Sequence, residues 1–364
     1  MQLPRSPAQR RHGAASTLAR SVLAAFALTA VSAVFASASS AAPRPDTRAA
    51  TAGGIGLRLV DVPVAERNDP RAWIYIVDHV RPGTVIHRRI EVSNATDSTA
   101  HVVLYAAAAT IAHGSFLGAV GHTPNELSSW TSVSPGESDV SAAGHLLAAV
   151  TIVVPHDATS GERYGAVWAE VRSGPIGGNG VTQVSRVGIR IYLSVGTGGP
   201  PASNFTIESL TAERSAAGQP MVVATVHNTG GLALDMSGNL QLSAGPGGLS
   251  AGPFSATLGT TLAIGDTEPV AIALDKQLPA GPWDARISLR SGLLERSAQA
   301  TITFPEAGAS APVKTTAVRS SLLFAAVIAG LGALLLLSVA TIGVMLRRLR
   351  RRPGGGPGRR AFVA

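Results

Sequence analysis

The chain has 364 residues, a formal net charge of +8 and no cysteine. Its length exceeds one ordinary domain and fits two folded domains plus targeting segments. The missing cysteines exclude a disulfide framework, a thiolate metal site and a cysteine nucleophile at once, so any exported domain must rely on its own packed core.

The charge is not a nucleic-acid signature, because it sits at the two ends. Residues 1–42 carry Arg5, Arg10, Arg11 and Arg20 with no acid, and the end beyond Leu322 carries Arg347, Arg348, Arg350, Arg351, Arg352, Arg359 and Arg360, again with no acid. Without these eleven arginines, 19 basic residues face 22 acidic ones, so 43–321 carries about −3. Basicity of this kind is topological. Lysine occurs only at Lys276 and Lys314, and alanine and glycine are heavily used, a bias typical of high-GC bacterial genomes.

Residues 1–42 have the form of a secretory signal peptide. A basic start to Arg20 is followed by an apolar run from Val22 to Phe35 and by small residues that place cleavage after Ala38 or Ala42. Arg10-Arg11 lacks the flanking residues of a twin-arginine signal, which favours the general secretory route.

Residues 53–196 show short alternating segments broken by Gly, Pro, Asn and Asp. The clearest is Val187 to Val195, whose odd positions are all apolar while Arg190, Tyr192 and Ser194 point the other way. That is the period of a half-buried strand. Val150, Ile152 and Val154 repeat it, and Tyr75–Val77, Ile86–Val92, Val102–Tyr105 and Tyr164–Val171 are further strands. Turns at Arg81-Pro82-Gly83, Asn94 to Asp97 and Ser134-Pro135-Gly136 recur at the spacing of an immunoglobulin-like sandwich. The run from Asp157 through Gly161 to Tyr164 has the form of a tyrosine corner.

Residues 197–203 form a Gly/Pro linker. A second, smaller sandwich follows over 204–304, with strands at Phe205–Leu210, Met221–His227, Leu240–Leu242, Val270–Leu274, Ala285–Leu289 and Ala300–Phe304. Residues 305–321, rich in Ala, Pro, Ser and Thr, read as a stalk. The uncharged run Leu322 to Leu346 exceeds the roughly 20 residues that span a bilayer, and the arginine cluster behind it places the C-terminus in the cytoplasm. No LPxTG-type sorting motif lies between Pro305 and Ser320, so this transmembrane helix is expected to remain the anchor. The tail, 347–364, is flexible, and Arg347, Arg348, Arg350, Arg351 and Arg352 suit anionic lipid head groups. The expected fold class is therefore all-β: two tandem immunoglobulin-like β-sandwiches and one C-terminal transmembrane helix.

Ile55 to Asp61, Tyr75 to His79, Arg81 to Thr84, Ile90 to Asn94, Thr123 to Trp130 and Gly161 to Tyr164 together resemble actinobacterial members of the DUF916 family, the WxL-interacting proteins. The resemblance covers most of the chain and is firmest over 53–195. It implies a non-catalytic cell-surface protein at the plasma membrane, whose first domain binds peptidoglycan or another cell-wall glycan. It also implies a second domain that contacts a secreted or surface protein.

No phosphate loop, H-E-x-x-H or G-x-S-x-G motif is present, and no cofactor or metal is implied. His113 and His122 lie near Asn125 and Glu126, but the spacing fits no standard ligand set, so exposed loop histidines are the plainer reading. Glu137, Asp139, Glu162 and Glu170 are the acids from which a glycosidase pair would have to come. The better site candidate is the segment Ile111 to His145, which interrupts the strand rhythm. Within it Asn125, Glu126, Ser128 and Trp130 combine an aromatic face with polar groups that suit a glycan. Trp130 reads equally well as a core anchor, whereas Trp73 and Trp168 sit in strand patterns and read as core. The leading function is wall-polymer binding. The alternatives are a scaffold that holds a protein partner, at a sheet edge or through the second domain, and an envelope hydrolase.

Overall fold

The computed structural model describes residues 50–318 apart from 53, 173 and 175–181. The expected signal segment 1–42, the expected anchor 322–346 and the tail expected over 347–364 with its arginines lie outside the described residues. No helix among the described residues is long and apolar enough to cross a membrane.

The described chain is all-β. Its first half contains β1 (Ala50–Ala52), β2 (Ile55–Leu59), β3 (Ile76–Val80), β4 (Val85–Asn94), β5 (Ala100–Ala112) and β6 (Ser115–Gly118). A single helical turn, α1 (Glu126–Ser129), precedes β7 (Thr131–Ser134), β8 (Glu137–Val140), β9 (His145–Val153), β10 (Gly161–Arg172) and β11 (Val184–Val195). One sheet has the order β1-β2-β4-β9-β7, and the other has β3-β11-β10-β5-β6 with β8 also paired to β5. Their facing sides close one core, in which Ile90, Val92, Val150 and Ile152 of the first sheet meet Leu104, Val167, Ile191 and Leu193 of the second. Alternation along each strand places these side chains between the sheets.

The second half runs β12 (Phe205–Arg214), β13 (Pro220–Asn228), β14 (Leu234–Asp235), β15 (Ser237–Ser243), β16 (Ala251–Ser255), β17 (Thr261–Leu262) and β18 (Thr267–Ala273). It continues with β19 (Trp283–Ser291), β20 (Leu294–Ile302), β21 (Gly308–Ala309), β22 (Val313–Lys314) and β23 (Thr316–Ala317). The sheets β18-β13-β12-β21 and β16-β15-β19-β20-β23 enclose a second core around Phe205, Trp283 and Phe304. In β12 the apolar parity shifts from Phe205 and Ile207 to Leu210 and Ala212, because a bulge after Ile207 inserts one residue.

The two halves share a device. Asn94 closes β4 and donates its amide to the carbonyls of Ser98, Val140 and Ser141, while its Oδ1 accepts from the Thr96 N–H. Asn228 closes β13 in the same way, donating to the Leu232 and Ala263 carbonyls and accepting from the Gly230 N–H. Both asparagines are buried, at 2 % and 1 % exposure, so each is a structural hub of its sandwich.

Two expectations change here. Ile111 to His145 is not one long loop: it holds β6, α1, β7 and β8, short elements whose periods are too brief to register in sequence. The stretch expected to be a stalk belongs to the second sandwich as far as Ala317. β21 and β22 pair with β12, and β23 pairs with β20. Backbone hydrogen bonding, which composition does not report, holds it there.

An ion pair closes the side of the first sandwich. Arg88 on β4 reaches across to both carboxylate oxygens of Asp78 on β3, at 2.6 and 2.7 Å. Burial raises the Asp78 carboxyl to about 6, with Arg88 pulling the other way and Glu66 adding to the rise. The folded state therefore keeps this proton more tightly than the unfolded chain, whose ordinary value is 3.8. Stability relative to Asp78→Asn should thus fall as pH rises from about 4 through about 6, by about 2–3 kcal/mol, when measured by urea unfolding.

Candidate functional site

The outer face of the β3-β11-β10-β5 sheet carries most of the unusual side chains. Sequence alternation presents Arg190, Tyr192 and Ser194 as the solvent side of β11. In the structure Tyr192 is 1 % exposed because the second sandwich covers it, and Ser194 is 3 % exposed, its hydroxyl 3.0 Å from Nδ1 of His79. Asp235 on β14 is the contact. Its Oδ1 accepts from the Tyr192 hydroxyl at 2.8 Å, from Arg190 Nη1 at 2.8 Å and from the Thr261 hydroxyl at 3.0 Å. The Arg190 guanidinium lies over the rings of Phe116 and Tyr75, and the Tyr192 ring touches Tyr75, Tyr164 and Phe116.

A second set of bonds grips one residue of the other sandwich at both its backbone groups. Glu162 accepts the Ala233 N–H at 2.7 Å, and Arg71 donates to the Ala233 carbonyl at 2.9 Å. Arg71 Nη1 stands 3.9 Å from Asp235 Oδ2, an ion pair too long to be a hydrogen bond. The Thr261 N–H donates to the Gly114 carbonyl at 2.8 Å. Gly292, at φ +58°, abuts Asp69, where an added Cβ would stand 2.9 Å from a carboxylate oxygen. Below these contacts a cleft of about 450 Å³ opens between the sandwiches, lined among others by Glu66, Asp69, Arg71, Asp78, Glu162 and Tyr192.

The other end of the same outer face is open. Tyr105 on β5 stacks on His122, with ring centroids 3.6 Å apart. The Tyr105 hydroxyl donates to Glu170 at 2.7 Å, and Arg172 donates to the same carboxylate at 2.9 Å. Burial pushes Glu170 up, but the hydrogen bonds from Tyr105 and Arg172 outweigh it and hold the carboxyl below its ordinary value. Trp168 lies flat across Gly188 under the Arg186 guanidinium, and its indole N–H has no partner. Gly188 is required there, since a Cβ would meet the Trp168 ring at 2.7 Å. Trp168 was expected in the core and is instead on the outer face, while its neighbours Val167 and Ala169 point inward.

The four residues singled out in sequence do come together. Asn125 caps α1, its Oδ1 accepting from the Ser128 N–H at 2.9 Å while Ser128 Oγ accepts from the Asn125 N–H at 2.7 Å. The Asn125 amide also donates to the Tyr164 carbonyl at 2.8 Å. Glu126 pairs with Arg163 at 2.8 Å, and the Arg163 guanidinium covers the Trp130 ring at 4.9 Å. Trp130 also packs against the first core. These polar groups are thus engaged with one another, and the free aromatic surface lies at His122 instead.

The other sequence candidates are spread apart. Glu162 and Glu170 lie on one strand, eight residues and about 26 Å apart, beyond the separation that glycoside hydrolysis uses. Glu137 and Asp139 flank the exposed His101. Among the described residues no group of three metal-ligating side chains forms. Tyr164 does not make a tyrosine corner, since its hydroxyl donates to the Glu162 carboxylate at 2.8 Å and not to backbone. Sequence reading missed Arg71 and Asp235, since neither the short turn at Pro70–Trp73 nor the two-residue strand β14 leaves a periodic signal.

No family model matches the chain, and no curated protein matches it. Solved structures match distantly. The Pseudomonas aeruginosa CupB2 chaperone is 12% identical with a TM-score of 0.33, over 63% of this chain and 97% of that one. The E. coli chaperone DraB is 11% identical with a TM-score of 0.33, over 66% and 94%. A chain of the Salmonella enterica SafA pilin–SafB chaperone complex is 10% identical with a TM-score of 0.35, over 72% and 96%. Likeness of this order carries no inference about activity or partners. What the structure itself defines is an all-β protein of two sandwiches, joined by a buried polar contact.

Two measurements check the junction. Asp235→Ala strands Arg190, Arg71 and the Tyr192 hydroxyl at a mostly buried position. Urea unfolding of residues 50–318 should lose about 3 kcal/mol and split from one transition into two. All four tyrosines are held above their ordinary value, burial being the largest cause in each. The folded protein should therefore show less tyrosinate absorbance at pH 10 than the unfolded chain, whose tyrosines are about half ionised there. Because the unfolded chain releases these protons first, stability should be lost as pH climbs past about 10.

Proposed function

We propose that the chain is a membrane-anchored bacterial cell-surface protein that binds wall polymer without catalysis. In this reading residues 322–346 hold it in the plasma membrane and its two sandwiches are immunoglobulin-like. The resemblance to the DUF916 family supports peptidoglycan or a related glycan as the ligand and the first sandwich as the binder.

The observation that carries the proposal is the open end of the outer face in the first sandwich. The Tyr105–His122 stack offers an exposed ring, with His122 half exposed. Arg172 stands beside it as an exposed donor, held in place by the buried Glu170 carboxylate. Ring faces pack on the apolar faces of sugars while charged groups bond hydroxyls, and a rigid sheet holds both in place. Asn125, Glu126, Ser128 and Trp130 support this surface from the side by fixing the segment that follows His122.

A protein partner added at a sheet edge of the second sandwich has less to recommend it. The edge strands β16 and β18 carry Pro253 and Pro269, and the chain's own 308–317 segment covers the opposite edges. Proline and self-covering are the usual protection against strand addition.

Residues 50–318 should co-sediment with isolated wall. Retention equal to that of an unrelated sandwich domain would remove the proposal. His122→Ala should lower retention about two- to tenfold, the loss of one aromatic contact of about 0.5–1.5 kcal/mol, with the unfolding midpoint unchanged.

A further inference from the structure

The described chain ends on the side of the second sandwich and not at its tip. β20 starts at Leu294, in the hairpin that lines the junction cleft, and runs to Ile302 at the far end. The chain then turns back. Gly308–Ala309 pairs with Arg214 and Glu213, and Val313–Lys314 pairs with Leu210 and Ser209. The Thr315 N–H donates to the Glu208 carbonyl at 3.2 Å. Thr316–Ala317 pairs with Gln299 and Ala298, and the Val318 N–H donates to the Ser297 carbonyl at 2.9 Å. Each step moves closer to Leu294 and Phe205, the strand ends nearest the first sandwich.

The remaining argument rests on the reading of 322–346 as the membrane anchor. Only Arg319, Ser320 and Ser321 separate Val318 from Leu322. Fully extended, that connection spans at most about 14 Å. Ile302 lies five residues past Ser297, about 17 Å along the strand, and the turn at 305–308 lies farther still. A protein standing on its far end would need its chain to retrace more distance than those residues can cover.

We propose that the anchored protein lies along the bilayer on the flank built by β12, β20 and the 305–318 segment. Lys314, Thr316 and Arg296 are exposed on this flank and stand at the level of the outer lipid head groups. Glu208 and Glu295 are exposed there too, so the flank is not a basic patch. The short tether sets this stance, and attraction to anionic lipid does not. It therefore holds at high salt and in purely zwitterionic membranes.

The chain has no cysteine, so an introduced one is labelled uniquely. Three full-length variants, Thr316→Cys, Glu306→Cys and Leu258→Cys, place a donor dye on the flank, at the far end and on the opposite flank. Each is reconstituted into phosphatidylcholine vesicles with a head-group acceptor, and energy transfer is read on the floated fraction. Transfer should be highest from position 316 and lowest from 258, with no change on adding salt. A flexible Gly/Ser insertion after Val318 should erase the ranking. Highest transfer from position 306, or an equal signal from all three without the insertion, overturns the stance while leaving the anchor intact. Failure of every variant to float with vesicles overturns the anchor, and the stance with it.

Discussion

One carboxylate oxygen stands at the centre of the contact between the two sandwiches. Asp235 Oδ1 receives hydrogen bonds from Tyr192, Arg190 and Thr261, the first two from one sandwich and the third from its own. A mostly buried carboxylate is costly unless its charge is met, and here two guanidiniums and two hydroxyls surround it. The arrangement is specific because few other relative placements of the sandwiches would satisfy all of these groups. The Ala233 backbone, held at its N–H by Glu162 and at its carbonyl by Arg71, adds directional bonds to the same contact. A Gly/Pro linker that would otherwise permit hinge motion therefore joins two halves that are already fixed to each other.

The same sheet serves two purposes along its length. Where the second sandwich covers it, the aromatic and charged side chains of β10 and β11 form a junction. Where it does not, His122 and Arg172 remain exposed, above the half-buried Tyr105 and Trp168 and the buried Glu170. This division follows from where the second sandwich stops, and it leaves the proposed binding surface on the same sheet as the junction. Arg190 and Arg186 sit four residues apart on one strand and do different work, one closing the junction and the other covering Trp168.

The C-terminal segment has a comparable logic. Binding 305–318 across both sheets protects edge backbone that would otherwise invite another strand. It also decides where the chain departs for residues 322–346, which a free stalk would leave undetermined.

Residue periodicity determined the strands. Val187 to Val195, Val150 to Val154 and the second-half strands from Phe205 to Leu289 follow from apolar residues at every second position, because a pleated strand has no other way to bury them. The end charges, the apolar run 322–346 and the turn that begins at Asn94 were likewise visible in the sequence. Tertiary structure decided what covers each strand's polar side. Nothing in the order of residues says that Tyr192 meets Asp235, 43 positions away, and not water. It decided too that Asn125 and Ser128 spend their hydrogen bonds on a helical turn, and that an Ala/Pro-rich stretch is stitched to a sheet. Sequence pattern reports local geometry, whereas long-range burial depends on which surfaces remain to be satisfied once the cores have formed.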